Sequence, residues 1–278
     1  MSSLPSFTAA KPAVGLIGFG AFGRLIASHL VPFTGVTVYD PTQPTTGVDC
    51  ATGAGFAPIE TVCTCDVVIL ATPVREIAAI CRRIAPHLAA GTTVIDVGSV
   101  KMRPAQDMQD NLPANINLIG THPLFGPQSA KDGLSGHQIA LCPLRGSSHG
   151  RIAAVLRRVF GLKIIWTTPE QHDRDVATVQ GLTHLISRSL AEILPTDLRL
   201  TTVSFDRLLQ AQEMVREDAP AVLETILQDN PFAAEVRDAF LASASDLSAQ
   251  YRCRGAGPNG AEPDVAAPTG STTKSLQY

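Results

Sequence analysis

The chain is short of the features that would place it in several large classes. Of its 278 residues only 17% are charged and 5% aromatic, and 22 basic residues against 25 acidic ones leave a formal net charge of −3. No basic run stands out, so no nucleic-acid partner is expected. No apolar stretch approaches the ~18 residues needed to cross a bilayer, so no membrane span is expected either. The start, Met1-Ser-Ser-Leu-Pro5, lacks a basic stretch leading into an apolar core, which argues against a secretory leader and for a cytoplasmic location. The six cysteines, Cys50, Cys63, Cys65, Cys81, Cys142 and Cys253, form no Cys-x-x-Cys pair and no zinc-spaced cluster with histidine. No metal is expected, and the thiols read as small buried apolar groups of a reducing compartment. Between Lys163 and Lys274 there is no lysine at all, and there is no internal repeat.

What the chain does have is a globular composition, 45% hydrophobic, and a clear change of texture near Thr167. Before that point short apolar runs alternate with helical spacing. Residues 13–18, 36–39, 66–71, 92–96, 116–119, 138–142 and 163–166 read as strands. Helices are expected at 21–30, from near Pro73 to Ile84, and at about 150–160. This order predicts a Rossmann-type α/β fold, a doubly wound parallel sheet. After Thr167 the apolar positions Val176, Val179, Leu182, Ile186, Leu190 and Ile193 step by three and four, and three more helices follow at 208–215, 221–227 and 231–247, with Pro231 in a first turn. The expected organisation is a dinucleotide-binding domain at 1–167, an all-α C-terminal domain at 168–252, and a disordered tail rich in Gly, Pro, Ala, Ser and Thr at 253–278.

Gly18-Phe19-Gly20-Ala21-Phe22-Gly23 is a Gly-x-Gly-x-x-Gly turn between the first strand and the first helix. The first glycine allows the tight turn, the second lets backbone approach a pyrophosphate, and the third lets helix and strand pack closely. The helix N-terminus offers free N–H groups and partial positive charge. Asp40 ends the second strand, where a carboxylate accepts bonds from an adenosine ribose and repels a 2′-phosphate. No Arg or Lys follows it within Pro41–Pro44, so NAD is favoured over NADP. The next strand ends, at Thr72-Pro73 and at Ser99, fall where such a sheet meets its dinucleotide.

The segment Gly120-Thr121-His122-Pro-Leu-Phe-Gly-Pro-Gln128-Ser129 follows the fifth strand, at the carboxyl edge of the sheet. A histidine there is placed to act as a general base near neutral pH.

With these pieces the chain resembles the prephenate/arogenate dehydrogenase family of tyrosine biosynthesis, its plant-like arogenate branch in particular. The likeness rests on the glycine turn, Val97-Gly-Ser-Val-Lys101, Gly120-Thr-His-Pro-x-Phe-Gly-Pro-Gln-Ser-Ala130, Thr183-His-x-x-x-Arg188, Ser204-Phe-x-x-Leu-Leu and Asn230-Pro-x-Ala. It implies an NAD(P)-dependent oxidative decarboxylation, of arogenate to tyrosine or of prephenate to 4-hydroxyphenylpyruvate. In that chemistry a cyclohexadienol carbon loses hydride, a histidine takes the hydroxyl proton, and carbon dioxide leaves as the ring becomes aromatic. His122 matches the family's catalytic histidine, and Ser99 a serine that orients it. Thr121, Gln128, Ser129, Asp132, His184 and Arg188 are the substrate candidates. Asp132 matches a position that is acidic in arogenate-preferring relatives. Classical microbial members carry Glu where this chain has Gln128, and Gly-Phe-Arg-Asp where it reads Thr202-Val-Ser-Phe-Asp206, so Arg188 and Arg207 are the candidate substitutes for the substrate arginine. The resemblance also implies a homodimer joined through the helical half, and no fused mutase or regulatory domain is expected. Two rival readings are a β-hydroxyacid or imine reductase, which should carry a lysine on the helical half, and a non-catalytic NAD sensor.

Overall fold

In the computed structural model, residues 12–195, 197–216, 218 and 220–252 are described; the segment 253–278 expected to form a tail lies outside them. Eight strands, β1 (Val14–Ile17), β2 (Val36–Tyr39), β3 (Gly55–Phe56), β4 (Val67–Leu70), β5 (Thr93–Asp96), β6 (Asn117–Pro123), β7 (Gln138–Arg145) and β8 (Lys163–Trp166), form one sheet in the order β3-β2-β1-β4-β5-β6-β7-β8. The helices between them are α1 (Ala21–Leu30), α2 (Ile59–Val62), α3 (Ile77–Ile84), α4 (Met102–Asn111) and α5 (His149–Arg158). The helical half comprises α6 (Pro169–Val176), α7 (Leu182–Ile193), α8 (Val203–Arg216), α9 (Pro220–Glu224) and α10 (Ala233–Arg252). Two π-helical stretches, Ala177–Gly181 and Thr225–Asp229, interrupt it and touch each other.

The central strands are apolar on both faces because helices cover both. Successive residues of a strand point to opposite sides. In β1, Leu16 joins a core with Phe19, Ala27, Val38 and Ala54, while its neighbour Ile17 joins another with Leu70, Ile77, Ile84, Val94 and Met108. A third cluster, Ile95, Ile119, Leu141 and Ala153, extends the core under β7 and α5. Compact packing divides the chain after Asp238. Within the first unit, Arg75 in the turn before α3 ties the two halves by ion pairs to Glu224 (3.0 Å) and Asp229 (3.1 Å).

The seven expected strands and the mostly parallel doubly wound sheet are present, with four differences. First, β6 and β7 are antiparallel, Thr121 facing Leu141 and His122 facing Ala140. A buried apolar run carries no direction, and a hairpin-like connection of fourteen residues allows the reversal. The same pairing extends β6 to Pro123, so His122 lies within the strand's last turn of pleat, not after it. Second, β3 has only two residues and left no periodic signal. Third, α4 is absent from the expected helices: it is mostly polar, and only Pro104, Ala105, Met108 and the flanking Leu112 mark its buried stripe. Fourth, Pro231 sits in the turn before α10, where Phe232 N–H donates to Asn230 Oδ1 (2.9 Å).

Candidate active site

The glycine turn has the shape its spacing implies. Gly18 has φ +100°, and a Cβ there would come within 2.4 Å of Ala71 O. At Gly23 a Cβ would meet Gly18 O at 2.3 Å. Around Gly20 nothing lies within 4 Å of such an atom, so the backbone is open to an incoming group at the N-terminus of α1. No side chain caps that terminus, and its first N–H groups are left for a ligand. Phe19 is buried, Gly20 and Ala21 are exposed, and Phe22 is half-buried.

Asp40 holds this turn from β2. Its Oδ2 accepts the Phe19 N–H (2.8 Å), and its Oδ1 accepts from Thr42 N–H (2.8 Å) and Thr42 Oγ1 (2.6 Å). Burial pushes its pKa up, but these bonds and the nearby Arg24 outweigh it and hold the carboxyl below its ordinary value. Three bonds leave a carboxylate, with about four acceptor sites, one for a ribose hydroxyl. Arg24, a cation that the sequence alone did not bring to Asp40, stacks 4.3 Å over the Phe19 ring and pairs with Asp49 at 3.1 Å. At the next strand end Thr72 carries a buried hydroxyl without a partner and Pro73 is exposed. An open glycine, an uncapped helix start and an unpartnered hydroxyl at one sheet edge fit a dinucleotide.

Beyond the turn lies a buried polar cluster. His122 is 4% exposed, and its Nδ1 is 2.9 Å from His172 Nε2. His172 Nδ1 is 2.7 Å from Asp173 Oδ1. Asp173, fully buried, also accepts the N–H groups of Lys101 (2.7 Å, to Oδ1) and Met102 (2.9 Å, to Oδ2) at the start of α4. Asn230 Nδ2 donates to the carbonyl of Asp173 (2.8 Å). Beside them the ammonium of Lys101 pairs with Asp96, both side chains being completely buried. Gly98 N–H donates to Asp96 Oδ2 (3.1 Å), and Thr121 Oγ1 donates to the Asp96 carbonyl (2.7 Å). Burial, then His172 and Lys101, push the His122 pKa well below its ordinary value. The ring is therefore neutral at physiological pH, the state a base requires. Burial raises the pKa of Asp96 against the pull of Lys101.

Ser99 is half-buried and makes no hydrogen bond to His122; the ring's partner is His172. Gln128 is exposed, while Ser129 accepts the Gly126 N–H (2.9 Å) and so closes the turn after Pro123. Phe125 of this loop packs on Phe22, ring centroids 6.4 Å apart, which ties the loop to α1. Asp132 is exposed. An apolar cavity of about 110 Å³, lined by Phe22, Ile26, Ile95, Thr121, Phe125 and Leu156 among others, does not include His122.

His184 and Arg188 share a face of α7 but differ in setting. His184 is buried and Arg188 exposed. His184 Nε2 lies 3.6 Å from Asp218 Oδ2, and its buried Nδ1 has no partner. Burial lowers the His184 pKa, Asp218 opposes this and Arg188 adds to it; burial raises that of Asp218 against both cations. Arg207 bonds to Gln210 within α8 (2.9 Å). His172, Asp173, Lys101, Asp96 and Asp218 went unremarked as site residues in the sequence. A signal existed for two of them: His172 and Asp173 fall in the helical pattern of α6 on the side of Val176 and Ala177, where buried apolar residues are expected.

Among the described residues no group of His, Cys, Asp and Glu is arranged to hold a metal ion, and no helix is long and apolar enough to cross a membrane. Comparison with known proteins places this geometry in context. Residues 29–164 match the family model described as prephenate dehydrogenase, nucleotide-binding domain, and residues 168–256 the one described as prephenate dehydrogenase, dimerization domain. The chain is 26% identical over 194 residues to a probable arogenate/prephenate dehydrogenase of Methanocaldococcus jannaschii, covering 66% of this chain and 43% of that protein. It is 26% identical over 232 residues to the chloroplastic arogenate dehydrogenase 2 of Arabidopsis thaliana, covering 80% and 65%. It thus spans less than two thirds of the length of either relative. Its fold is similar to that of prephenate dehydrogenase from A. aeolicus, solved with hydroxyphenyl propionate and NAD+, with a TM-score of 0.70, 22% identity and coverage of 89% and 93%.

Proposed function

This chain belongs to the prephenate dehydrogenase family, and on that premise we propose that it oxidatively decarboxylates arogenate or prephenate with a nicotinamide dinucleotide. The observation that carries the reading is His122: a buried imidazole at the carboxyl edge of β6, on the same edge of the sheet as a glycine turn whose open backbone suits a dinucleotide. Gly18 to Gly23, Asp40, Thr72, Pro73 and Ser99 hold the cofactor, which when bound supplies the hydride acceptor. His122 takes the proton of the ring hydroxyl, Ser99 lines its approach, and Gln128 and Ser129 shape the loop that follows β6; Thr121, the preceding residue of β6, lines the apolar cavity that does not include His122. Aromatisation of the ring drives loss of the carboxylate, so the site has no need of a metal.

His184 and Arg188 receive the substrate's side-chain carboxylate; the buried Nδ1 of His184 has no hydrogen-bond partner among the described residues. Asp218 beside them gives the cluster mixed charge, and Asp132 adds an exposed carboxylate on the loop after β6. Such a set suits an amino acid's ammonium and carboxylate, which favours arogenate. A charge-assisted bond contributes about 1.5–3 kcal/mol, or roughly 10- to 150-fold in preference. NAD is favoured over NADP because Asp40 faces the ribose position and Arg24 is committed to Asp49.

The test is NADH formation at 340 nm with each substrate, in wild type, Asp132→Asn and Asp218→Asn. Turnover of neither substrate overturns the activity. An arogenate-to-prephenate ratio in kcat/KM that neither substitution changes overturns the selector assignment, and a higher kcat/KM with NADP overturns the cofactor choice.

The domain division at Thr167 stands as part of this proposal, as does a homodimer. Val179, Ile193, Leu200, Val203 and Met214 are all more than 60% exposed, and α8 buries none of its residues, a surface that a second copy would cover. A monomer mass by light scattering at micromolar concentration would contradict it. A reducing, cytoplasmic setting suits the free buried thiols of Cys63, Cys81 and Cys142, whose pKa values burial raises to about 11, 12 and 12.

A further inference from the structure

We propose that His172 and Asp173 are positioning residues that fix the tautomer of His122, leaving its Nε2 as the bare nitrogen that takes the substrate's proton. The inference rests on the reading of His122 as the base, and deepens it.

The hydrogen bonds run inward from the backbone of α4. Asp173 Oδ1 and Oδ2 accept the N–H groups of Lys101 (2.7 Å) and Met102 (2.9 Å). A carboxylate engaged in this way has no proton to offer, so its third neighbour must donate to it. That neighbour is His172 Nδ1, 2.7 Å from Oδ1. A neutral imidazole carries one N–H; with it on Nδ1, His172 Nε2 is an acceptor. With His172 neutral, His122 Nδ1, 2.9 Å from that lone pair, holds the hydrogen; an imidazolium at His172 would donate from both nitrogens and give the reverse pattern in nitrogen spectra. Neutral His122 is then protonated at Nδ1 and bare at Nε2, and among the described residues no group is bonded to that Nε2. The opposite arrangement would need a hydrogen on His172 Nε2, which in the neutral ring would set two lone pairs, on His172 Nδ1 and Asp173 Oδ1, against each other at 2.7 Å.

Burial makes the device rigid. His122, His172 and Asp173 are 4%, 3% and 0% exposed, so water does not compete for the nitrogens that join the two rings and the carboxylate. Asp173 is fixed twice more, by the α4 amides and by Asn230 on its own carbonyl. The ring planes are inclined at 66° with centroids 5.1 Å apart, and the 2.9 Å between the nitrogens joins the rings through their nitrogen-bearing edges. During turnover the hydroxyl proton of the substrate goes to His122 Nε2, giving an imidazolium that keeps its Nδ1–H on His172. It is released from Nε2 to solvent as the site resets.

Two measurements test this. In full-length protein with ¹⁵N-labelled histidine, the His122 resonances, assigned by their loss in His122→Asn, should show a pyrrole-type Nδ1 and a pyridine-type Nε2. The reverse pattern, or rapid exchange between tautomers, overturns the proposal whether or not the enzyme turns over. The second is a pair of substitutions. His172→Leu removes the acceptor and should lower kcat at least about tenfold, within the ~10⁴-fold that an enforced wrong tautomer costs a catalytic histidine, with KM for the dinucleotide unchanged. His172→Gln can return a carbonyl oxygen to His122 Nδ1 and should recover most of that loss. Equal kcat in the two variants overturns the proposal. Should His172→Leu not fold, the tautomer measurement on wild type still decides. A His122→Asn variant with undiminished turnover would overturn the assignment of the base instead, which the nitrogen spectra do not depend on.

Discussion

Removing the ammonium of Lys101 is the most exacting perturbation of the buried cluster. Lys101 and Asp96 are both completely buried and paired, and Asp96 Oδ1 is already without a hydrogen bond. Lys101→Met keeps the length of the side chain but strands the carboxylate. Breaking a buried pair from one side costs about 3–5 kcal/mol. For a protein of this size each kcal/mol lowers Tm by about 2–4 °C, so a drop of roughly 6–20 °C is expected at pH 8. The pH dependence has a definite sign. Burial already places the Asp96 pKa above its ordinary value, and loss of Lys101 raises it further. A folded-state carboxyl pKa above the unfolded one stabilises at low pH and loses that contribution as pH rises through the folded value. The deficit of Lys101→Met relative to wild type, measured by urea unfolding at each pH, should therefore be smaller at pH 5 than at pH 8. Adding Asp96→Asn, which keeps an acceptor for the Gly98 N–H, should recover most of the loss, because removing both charges leaves no stranded ion. A single-variant cost below about 1 kcal/mol at pH 8, or a deficit that does not change with pH, would refute the account of the pair.

Other perturbations separate fold from site. Gly23→Ala should lower Tm sharply, since its Cβ would meet Gly18 O at 2.3 Å, whereas Gly20→Ala, with nothing within 4 Å, should leave Tm unchanged and weaken dinucleotide binding in calorimetry; equal Tm losses would contradict the assigned roles. Because burial depresses the His122 pKa, the ring contributes stability that is present above its unfolded value of about 6.5 and lost as pH falls below it. The stability difference between wild type and His122→Asn should accordingly grow between pH 5 and 7.5, while kcat falls by about 10²–10⁴-fold in steady-state assays; a flat difference would deny His122 its depressed pKa. Gly146→Ala, at φ +84° with Asn117 Oδ1 2.0 Å from the added carbon, should destabilise by more than about 1 kcal/mol with kcat unchanged, as read by thermal melts alongside turnover.

Much of the fold was legible in the sequence because its signals are local. A strand buried on both faces needs a continuous apolar run, and each of the runs from Val14 to Trp166 is a strand. The glycine spacing predicted the turn because the contacts that forbid a side chain at Gly18 and Gly23 lie within that turn or at the adjoining strand end. Asp40 was legible for the same reason: the length of one strand–helix–strand unit fixes its distance from the turn. Strand direction was not local. Only the pairing of Thr121 with Leu141 reverses β7 and draws His122 into a strand. The motif singled out His122, whereas the helical pattern of α6 marked His172 and Asp173 only as inward-facing and did not say what they meet. His172 is 50 residues away in sequence and Asp173 is 72 from Lys101. Their residue types alone read as exposed polar positions at a helix start. The folded chain buries them because Asp173 can terminate α4 and hold His172 at once, and that pair of bonds offsets the cost of taking a carboxylate out of water. The sequence by itself determined seven of the eight strands and the glycine turn that follows the first. Tertiary structure alone decided which groups the His122 ring meets, because its hydrogen bond runs to a residue that only the fold brings beside it.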